Sequence, residues 1–179
     1  ILVFPKVVSD DTHDTIIQIT NATGSSVQAR CFYLDGRVED GDPAPVWLAT
    51  DFQIALTRLQ PTVWVASDGL PAVAPDRPLD LHPGPVPPVG EGFIGELRCI
   101  VVSANEAPIA RNAIVGTATL IERTTQQVSK YQAVALRAVG PNNGDNVLLL
   151  NNEEYSTCPR VLILNHFFDA APDPVLNTE

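Results

Sequence analysis

The 179 residues suit one domain, and their 45% hydrophobic content excludes a disordered tail. Eleven Lys and Arg residues against 21 Asp and Glu residues give a net charge of −10. Such a surface repels phosphate backbones and anionic lipids, so we expect no nucleic-acid partner. No run approaches the roughly 18 apolar residues of a membrane helix, so we also expect no membrane insertion.

The chain opens with the apolar, β-branched stretch ILVFPKVV, which contains Pro5. Proline has no N–H donor, so the pattern predicts an edge strand or a strand paired on one side only. We assign residues 1–13 to an N-terminal strand and linker that a neighbouring subunit could accept. Leu2, Phe4 and Val8 would then fill a groove in the neighbour's sheet. The alternative is that this strand pairs within its own sandwich.

The sequence contains no methionine, so Ile1 is not a translation start. We expect an exported protein whose signal peptide has been removed, with an extracellular or cell-surface location. A fragment cut from a longer protein is the alternative.

Residues 14–36 contain two alternating runs, TIIQITN and VQARCFYL, separated by a turn rich in Asn, Gly and Ser. This pattern predicts a β-hairpin, with Cys31 on its buried face. The runs DFQIAL and TVWVAS predict a second hairpin-like unit, flanked by Trp47 and Trp64. We expect both tryptophans to be core or sheet-covering residues, with a sugar-stacking platform as the alternative.

Residues 70–91 form a proline-rich loop in which no helix or central strand can persist. It is either a linker or an extended strap that packs across the surface. Strand patterns resume in GFIGELRCIVVSA and NAIVGTATLIE, and VLLLN and RVLILNHFF predict two short buried strands. Residues 170–179 are predicted to be a C-terminal tail.

Short strand patterns separated by turn residues, without a convincing amphipathic helix, predict an all-β protein. We expect roughly eight to ten strands in an antiparallel two-sheet β-sandwich, immunoglobulin-like or jelly-roll-like. Residues 14–169 would form this single domain, with the long proline-rich loop inserted in it.

The three cysteines, at positions 31, 99 and 158, are too far apart for a zinc-binding spacing. In an oxidising compartment one pair could form a disulfide. We expect a Cys99–Cys158 bridge that pins the C-terminal part to the body. A Cys31–Cys99 bridge across the two sheets is the alternative.

No nucleophile, zinc-protease, phosphate-loop or dinucleotide motif is present. His13, His82 and His166 lie in different contexts, and none has a second ligand at metal-binding spacing. We therefore expect no enzymatic activity and no cofactor. A concave pocket that holds His82 or His166 beside a carboxylate would indicate an enzyme instead.

Calcium is the one metal that the acidic composition suggests, because hard cations prefer oxygen ligands. No loop matches an EF-hand, and we expect ordinary acidic loops in the first place. The weak calcium candidates are Asp10, Asp11, Asp14 and Asp145, with Glu39, Asp40 and Asp42 as a further cluster.

The turn pattern resembles exported bacterial immunoglobulin-like β-sandwich domains over about residues 14–120. The matching positions are Asn21, Gly36, Leu59 to Pro61, Gly92, Gly95 and Pro108 to Ala110. Domains of that kind are adhesive, surface-layer or fibre components. The resemblance implies a sandwich fold and export, and it carries no catalytic residues.

We therefore expect a non-catalytic extracellular structural subunit that assembles with itself into a surface layer or filament through β-strand contacts. Strand exchange by residues 1–8 is one mode of such assembly. The alternative function is a carbohydrate- or cell-surface-binding module, with a polysaccharide as partner and Trp47 and Trp64 at its site.

Overall fold

The computed structural model of the chain describes residues 1–38, 41, 43–45, 47–72, 82–145 and 147–157. This part is all-β, as the alternating sequence patterns predict. Its nine strands are β1 (Leu2–Ser9), β2 (His13–Asn21), β3 (Val27–Asp35), β4 (Ala49–Leu56), β5 (Pro61–Val65), β6 (Phe93–Val102), β7 (Ile114–Glu122), β8 (Val128–Gln132) and β9 (Val134–Ala135).

The strands form two antiparallel sheets that pack face to face as a sandwich. Sheet A has the order β4-β3-β6-β1-β9, and sheet B has the order β5-β2-β7-β8. In sheet B, β2 pairs with β5 and β7, and in sheet A, β6 pairs with β3 and β1.

Both predicted hairpins are wrong, although their strands are confirmed. β2 and β3 lie in opposite sheets, and so do β4 and β5. Alternation fixes which residues face the core, but it does not identify the neighbouring strand. The amide of the fully buried Asn21 holds the corner after β2, because it donates to Ser25 O and Thr57 O at 2.8 Å each.

The core lies between the two sheets and is continuous through the sandwich. An aromatic cluster occupies its centre, where the Trp64 ring packs edge-on against Phe52 and the Phe93 ring packs edge-on against Tyr33. Trp64 Nε1 in sheet B donates a hydrogen bond of 2.7 Å to Tyr33 Oη in sheet A. This bond satisfies both polar groups at a buried position. The largest fully buried apolar or aromatic side chains are Leu2, Phe4, Val7, Ile17, Ile19, Tyr33, Ile54, Leu56, Val86, Leu97 and Tyr155.

β1 is not an edge strand, because it lies between β6 and β9. The alternative, a strand paired on one side only, is confirmed from Phe4 onward. In the described structure Leu2 and Val3 pair with both neighbours, and the rest of β1 pairs with β6. Pro5 falls within the register shift between Phe4 and Val7, beyond the end of the short strand β9. Because the ladder is irregular there, the missing N–H is tolerated.

The predicted Cys99–Cys158 bridge is also wrong, because Cys99 is bonded to Cys31. The alternative pairing is correct in its residues, but the bond lies within sheet A instead of across the two sheets. Cys31 of β3 and Cys99 of β6 are directly opposite in the register, and both are fully buried. Cys158 lies outside the described residues.

The described part of the proline-rich segment is a strap along the open side of the sandwich. Pro83 O accepts the N–H of Ala55 at 2.7 Å, which occupies part of the free edge of β4. Leu70 and Val86 exchange two backbone hydrogen bonds, and Val86 is buried in the core. The strap therefore closes the gap between the edge strands β4 and β5.

The predicted buried strand VLLLN is wrong, since residues 147–151 have no strand structure and Val147, Leu149 and Leu150 are exposed. The neighbouring Glu154 and Tyr155 hold this segment instead. The Glu154 carboxylate accepts the N–H of Asn143 at 3.0 Å, and Tyr155 is buried. The predicted strand RVLILNHFF and the tail 170–179 lie outside the described residues.

Candidate functional site

The two tryptophans that the sequence pairs as an alternative binding platform lie in different environments. Trp64 is 2% exposed and belongs to the aromatic core, as expected for a core residue. Trp47 is 60% exposed, so its expected place in the core is wrong. A platform built from both rings is therefore wrong too, because only Trp47 can contact a ligand.

Trp47 lies on the segment between β3 and β4, which also carries the exposed apolar residues Val38 and Leu48. Val38 and Leu48 are 58% and 62% exposed, and Leu48 O accepts the N–H of Asp35 at 2.9 Å. Trp47 has φ of 50°, a left-handed conformation that is uncommon for a bulky side chain. The backbone therefore holds an indole ring at the surface in a strained position.

The predicted assembly residues Leu2, Phe4 and Val8 are all buried in the chain's own sandwich. A Cβ added at Gly116 of β7 would lie 2.6 Å from Phe4 Cζ, so this glycine makes the space for the Phe4 ring. The terminal amine of Ile1 donates to Leu136 O at 3.0 Å, and burial lowers the pKa of that amine. The chain thus provides its own slot for β1.

Three of the four calcium candidates, Asp10, Asp14 and Asp145, hold turns or ion pairs of the described structure, and Asp11 is exposed. Asp10 caps the turn between β1 and β2 through the N–H groups of Thr12 and His13, at 2.8 and 2.7 Å. Burial alone would raise the pKa of the Asp10 carboxyl, but the hydrogen bonds from Thr12 and His13 outweigh it and lower the pKa to about 2. Asp145 accepts the N–H of Val147 at 2.8 Å.

Asp14 is 5% exposed and pairs with Arg123, and its carboxylate accepts the Ser67 hydroxyl at 2.6 Å. These contacts tie the ends of β2, β5 and β7 together. Within the described ranges, no three His, Cys, Asp or Glu side chains come together as a metal site. Glu39, Asp40 and Asp42 lie outside the described residues.

The histidines do not converge. His13 lies beside Asp10, with 3.1 Å between His13 Nδ1 and Asp10 Oδ1. His82 lines a cavity of about 580 Å³ at the end of the sandwich where β3 begins and β4 and β6 end. Of the described residues, no Asp or Glu lines this cavity, and Arg111 does. His166 lies outside the described residues.

The outer faces of the two sheets carry very different side chains. On sheet A, Arg30 pairs with Asp51 at 2.5 Å and with Glu106 at 3.1 Å, and Arg98 pairs with Glu96.

On sheet B, the register aligns outward positions into rows across the four strands. Three of these rows pass through Ile16, Gln18 and Thr20 of β2, and we call them the carboxylate-free rows. Lys130 is their one charged residue. The members of these rows are Pro61, Val63, Val65, Ile16, Gln18, Thr20, Val115, Thr117, Thr119, Lys130 and Gln132.

Sheet B also has an open edge at β8. Gln127 O accepts from Glu122 N, and Ala133 N donates to Gly116 O, so odd-numbered residues of this segment bond to β7. The backbone groups of Val128, Lys130 and Gln132 therefore face away from the sheet. Within the part of the chain that the structure describes, they have no hydrogen-bond partner.

No protein family, curated protein or solved structure matches the chain. Among the described residues there is no helix long and apolar enough to cross a membrane.

Sequence reasoning missed both the carboxylate-free rows of sheet B and the cavity. The rows have a sequence signal, because the polar positions of TIIQITN and NAIVGTATLIE are mainly Thr and Gln. The cavity has no local signal, since His82 and Arg111 are 29 positions apart and belong to separate loops.

Proposed function

We propose that this chain is a non-catalytic structural subunit of the extracellular space or cell surface. Copies of the chain would associate through β-strand contacts into a layer or filament. The observation that supports this most directly is the set of carboxylate-free rows on the outer face of sheet B, in which Lys130 is the one charged residue. The open edge of β8 adjoins the same face.

Charge selects a second copy of the chain as the partner of that face. Two molecules of net charge −10 repel each other, so they approach most easily through surfaces without carboxylates. The three rows through Ile16, Gln18 and Thr20 contain no Asp or Glu, and they contain several β-branched side chains, including Val63 and Val115 at 54% and 52% exposure. The adjoining row contains Asp14, which pairs with Arg123. Lys130 is the one charged group of the three rows that would lose hydration when they are covered.

The size of the face predicts a weak contact. Four strands about 4.8 Å apart, with about five residues each at roughly 3.3 Å per residue, give an area of about 320 Å². Two such faces in contact would bury about 640 Å², which is below the size of standard specific interfaces. Weak contacts of this kind suit an assembly in which each subunit makes several of them.

Export of the protein is supported by the disulfide of sheet A. A buried Cys31–Cys99 bond is typical of proteins that fold in an oxidising compartment. The acidic composition supports solubility there.

Exchange of β1 between subunits is a second mode of the same function. β1 is the first strand of the chain, and its residues fill a defined slot over Gly116. An exchanged β1 would occupy the identical slot of a neighbour, as in domain swapping. The exchange would have to open the turn that Asp10 holds, so it has a kinetic barrier that face contact lacks.

Two isosteric substitutions test the face contact. Gln18→Glu places a carboxylate in the middle one of the carboxylate-free rows. Gln53→Glu adds the same charge on the outer side of sheet A. We expect Gln18→Glu to weaken self-association about tenfold or more, because an unpaired carboxylate would be buried in the contact. Gln53→Glu should leave it unchanged. Light scattering across a concentration series measures both.

A locked variant separates face contact from strand exchange. Val3 and Arg98 are directly opposite, so Val3→Cys with Arg98→Cys can bond β1 to its own sheet. Assembly that persists in the locked protein and falls with Gln18→Glu supports face contact. Assembly that only the lock abolishes would identify strand exchange. Monomers at every concentration of the unaltered chain would refute the proposed function.

A binding module is the second candidate, and the exposed indole of Trp47 favours it. An exposed Trp with a left-handed backbone conformation can stack on a sugar ring or anchor a partner protein. Trp47→Ala should then abolish binding to an immobilised polysaccharide or cell-surface preparation and leave self-association intact.

A further inference from the structure

The cavity at the end of the sandwich is unusual for this molecule because of its charge. It measures about 580 Å³, within the range of small-molecule sites. Its lining includes Gln28, Thr57, His82, Ser103, Ile109 and Arg111. Although the chain has net charge −10, none of the described residues lining the cavity is acidic.

Arg111 supplies a positive charge that no carboxylate of the described residues pairs with. Its guanidinium donates to Thr23 Oγ1 at 3.2 Å and to Ser25 Oγ, and both are neutral hydroxyls. Elsewhere in the described structure Arg30 and Arg123 pair with carboxylates. The two hydroxyls fix the orientation of the Arg111 guanidinium and leave its charge available for an anion.

His82 supplies a second donor at the same cavity. Its Nδ1 accepts the N–H of Gly84 at 3.1 Å, and because that partner is a backbone donor, Nδ1 carries no hydrogen. The neutral ring must then hold its hydrogen on Nε2, which is a donor. The neighbouring bond from Ala55 N to Pro83 O keeps this part of the strap against β4.

The remaining wall is part polar and part apolar, so it suits a compact ligand that has both hydroxyl groups and a hydrocarbon ring. Ser26, Gln28, Thr57 and Ser103 offer hydrogen-bonding groups. The apolar surface comes from Val27, Ala55, Leu56, Val102, Ala104 and Ile109. Hydroxyl and amide groups around an arginine are a common way to orient a small polar molecule.

We infer that this cavity binds a small carboxylate-bearing molecule of about hexose size. Arg111 pairs with the carboxylate, His82 Nε2 donates to it, and the hydroxyl groups contact the body of the ligand. Two sources share this chemistry, namely a uronic acid of a polysaccharide and a free cyclic carboxylic acid. The lining of this cavity shares no residue with the carboxylate-free rows of sheet B, so the inference goes beyond the proposed assembly.

Titration of the full chain with three probes of similar size tests the site. Binding is measured by the amide chemical shifts in NMR spectra. D-glucuronate has the carboxylate and the hydroxyls, cyclohexanecarboxylate has only the carboxylate, and D-glucose has only the hydroxyls. We expect glucuronate to shift amides of the cavity lining and glucose to bind at least about tenfold more weakly, because it lacks the ionic contact. Equal binding of the two carboxylates would identify a carboxylate site without sugar selectivity.

Three variants complete the test. Arg111→Gln should weaken glucuronate binding about tenfold or more, since it removes a charge-assisted hydrogen bond. His82→Asn should weaken it less, because the Asn oxygen can still accept the Gly84 N–H while the Nε2 donor is lost. Arg58→Gln is the matched control, an exposed arginine outside the cavity.

Circular dichroism verifies that each variant is folded, and Arg111→Lys restores the charge if the Gln variant is unstable. Carboxylate binding that Arg111→Gln leaves unchanged would overturn the inference. Equal binding of glucose and glucuronate, or no binding of either carboxylate, would overturn it too.

Discussion

The two sheets are alike on their inner faces and opposite on their outer faces. Both contribute aromatic and β-branched residues to one core, and the Trp64–Tyr33 hydrogen bond joins them. Outside, sheet A carries Arg30 and Arg98 with their acidic partners, whereas the central rows of sheet B carry Lys130 alone.

The sheets also differ in how they are held together. Sheet A is crosslinked by Cys31–Cys99, and the strap and Pro83 occupy part of its β4 edge. Within the described structure sheet B has no disulfide, and its β8 edge is open. The contrast teaches that sheet A is a crosslinked, charged side with part of one edge occupied, whereas sheet B has an accessible edge.

Removal of the disulfide should have the largest effect on this contrast. Cys31→Ala with Cys99→Ala opens a loop of 68 residues and should lower the free energy of unfolding by about 4 kcal/mol. Urea denaturation measures the loss, and hydrogen exchange should show it first in β3 and β6. Cys158→Ala is the control, because it leaves the bond intact. A loss of hydrogen-exchange protection confined to sheet B would contradict the role of the disulfide in holding sheet A.

Tyr33→Phe should have the next largest effect, since it uncouples the two sheets. The substitution leaves the buried Trp64 N–H without its acceptor, at a cost of about 1–3 kcal/mol in the free energy of unfolding. Trp fluorescence during urea denaturation measures this cost. A neutral result would mean that packing alone joins the sheets.

The free energy of unfolding at alkaline pH gives a second test of Tyr33→Phe. Burial raises the pKa of Tyr33 above its ordinary value, and burial raises the pKa of Tyr131 to about 12. A group whose pKa is higher in the folded state contributes its full stability below the unfolded pKa of about 10 and loses it as the pH rises further. The unaltered protein should therefore lose stability above pH 10 more steeply than Tyr33→Phe.

The sequence was sufficient for the fold class because alternation directly encodes which side chains are buried. The parity of Cys31 with Ala29 and Tyr33 is confirmed, and so is the strap interpretation of the described proline-rich residues. Strand partners were mispredicted because connections that cross between sheets have the same turn residues as hairpins. The Cys31–Cys99 pair depends on β3 lying beside β6, which local patterns do not specify.

The functional residues were less predictable, for a related reason. Trp47 and Trp64 have similar apolar neighbours in sequence, and only the tertiary fold exposes the first and buries the second. The cavity requires the ends of three strands and two loops to meet. The carboxylate-free rows could have been found once β2 and β7 were known to be neighbours, because Gln18 and Thr117 then lie side by side.

The smallest expected effect comes from the charged face of sheet A. Arg98 is half exposed and pairs with Glu96, and such surface pairs contribute about 0–1 kcal/mol. Arg98→Gln should thus change the free energy of unfolding by less than about 1 kcal/mol, as measured by urea denaturation. It should also leave self-association through sheet B unchanged, because the pair lies on the opposite side of the sandwich. A larger loss of stability would show that the charges of sheet A hold the fold together, and a change in association would place the contact on sheet A.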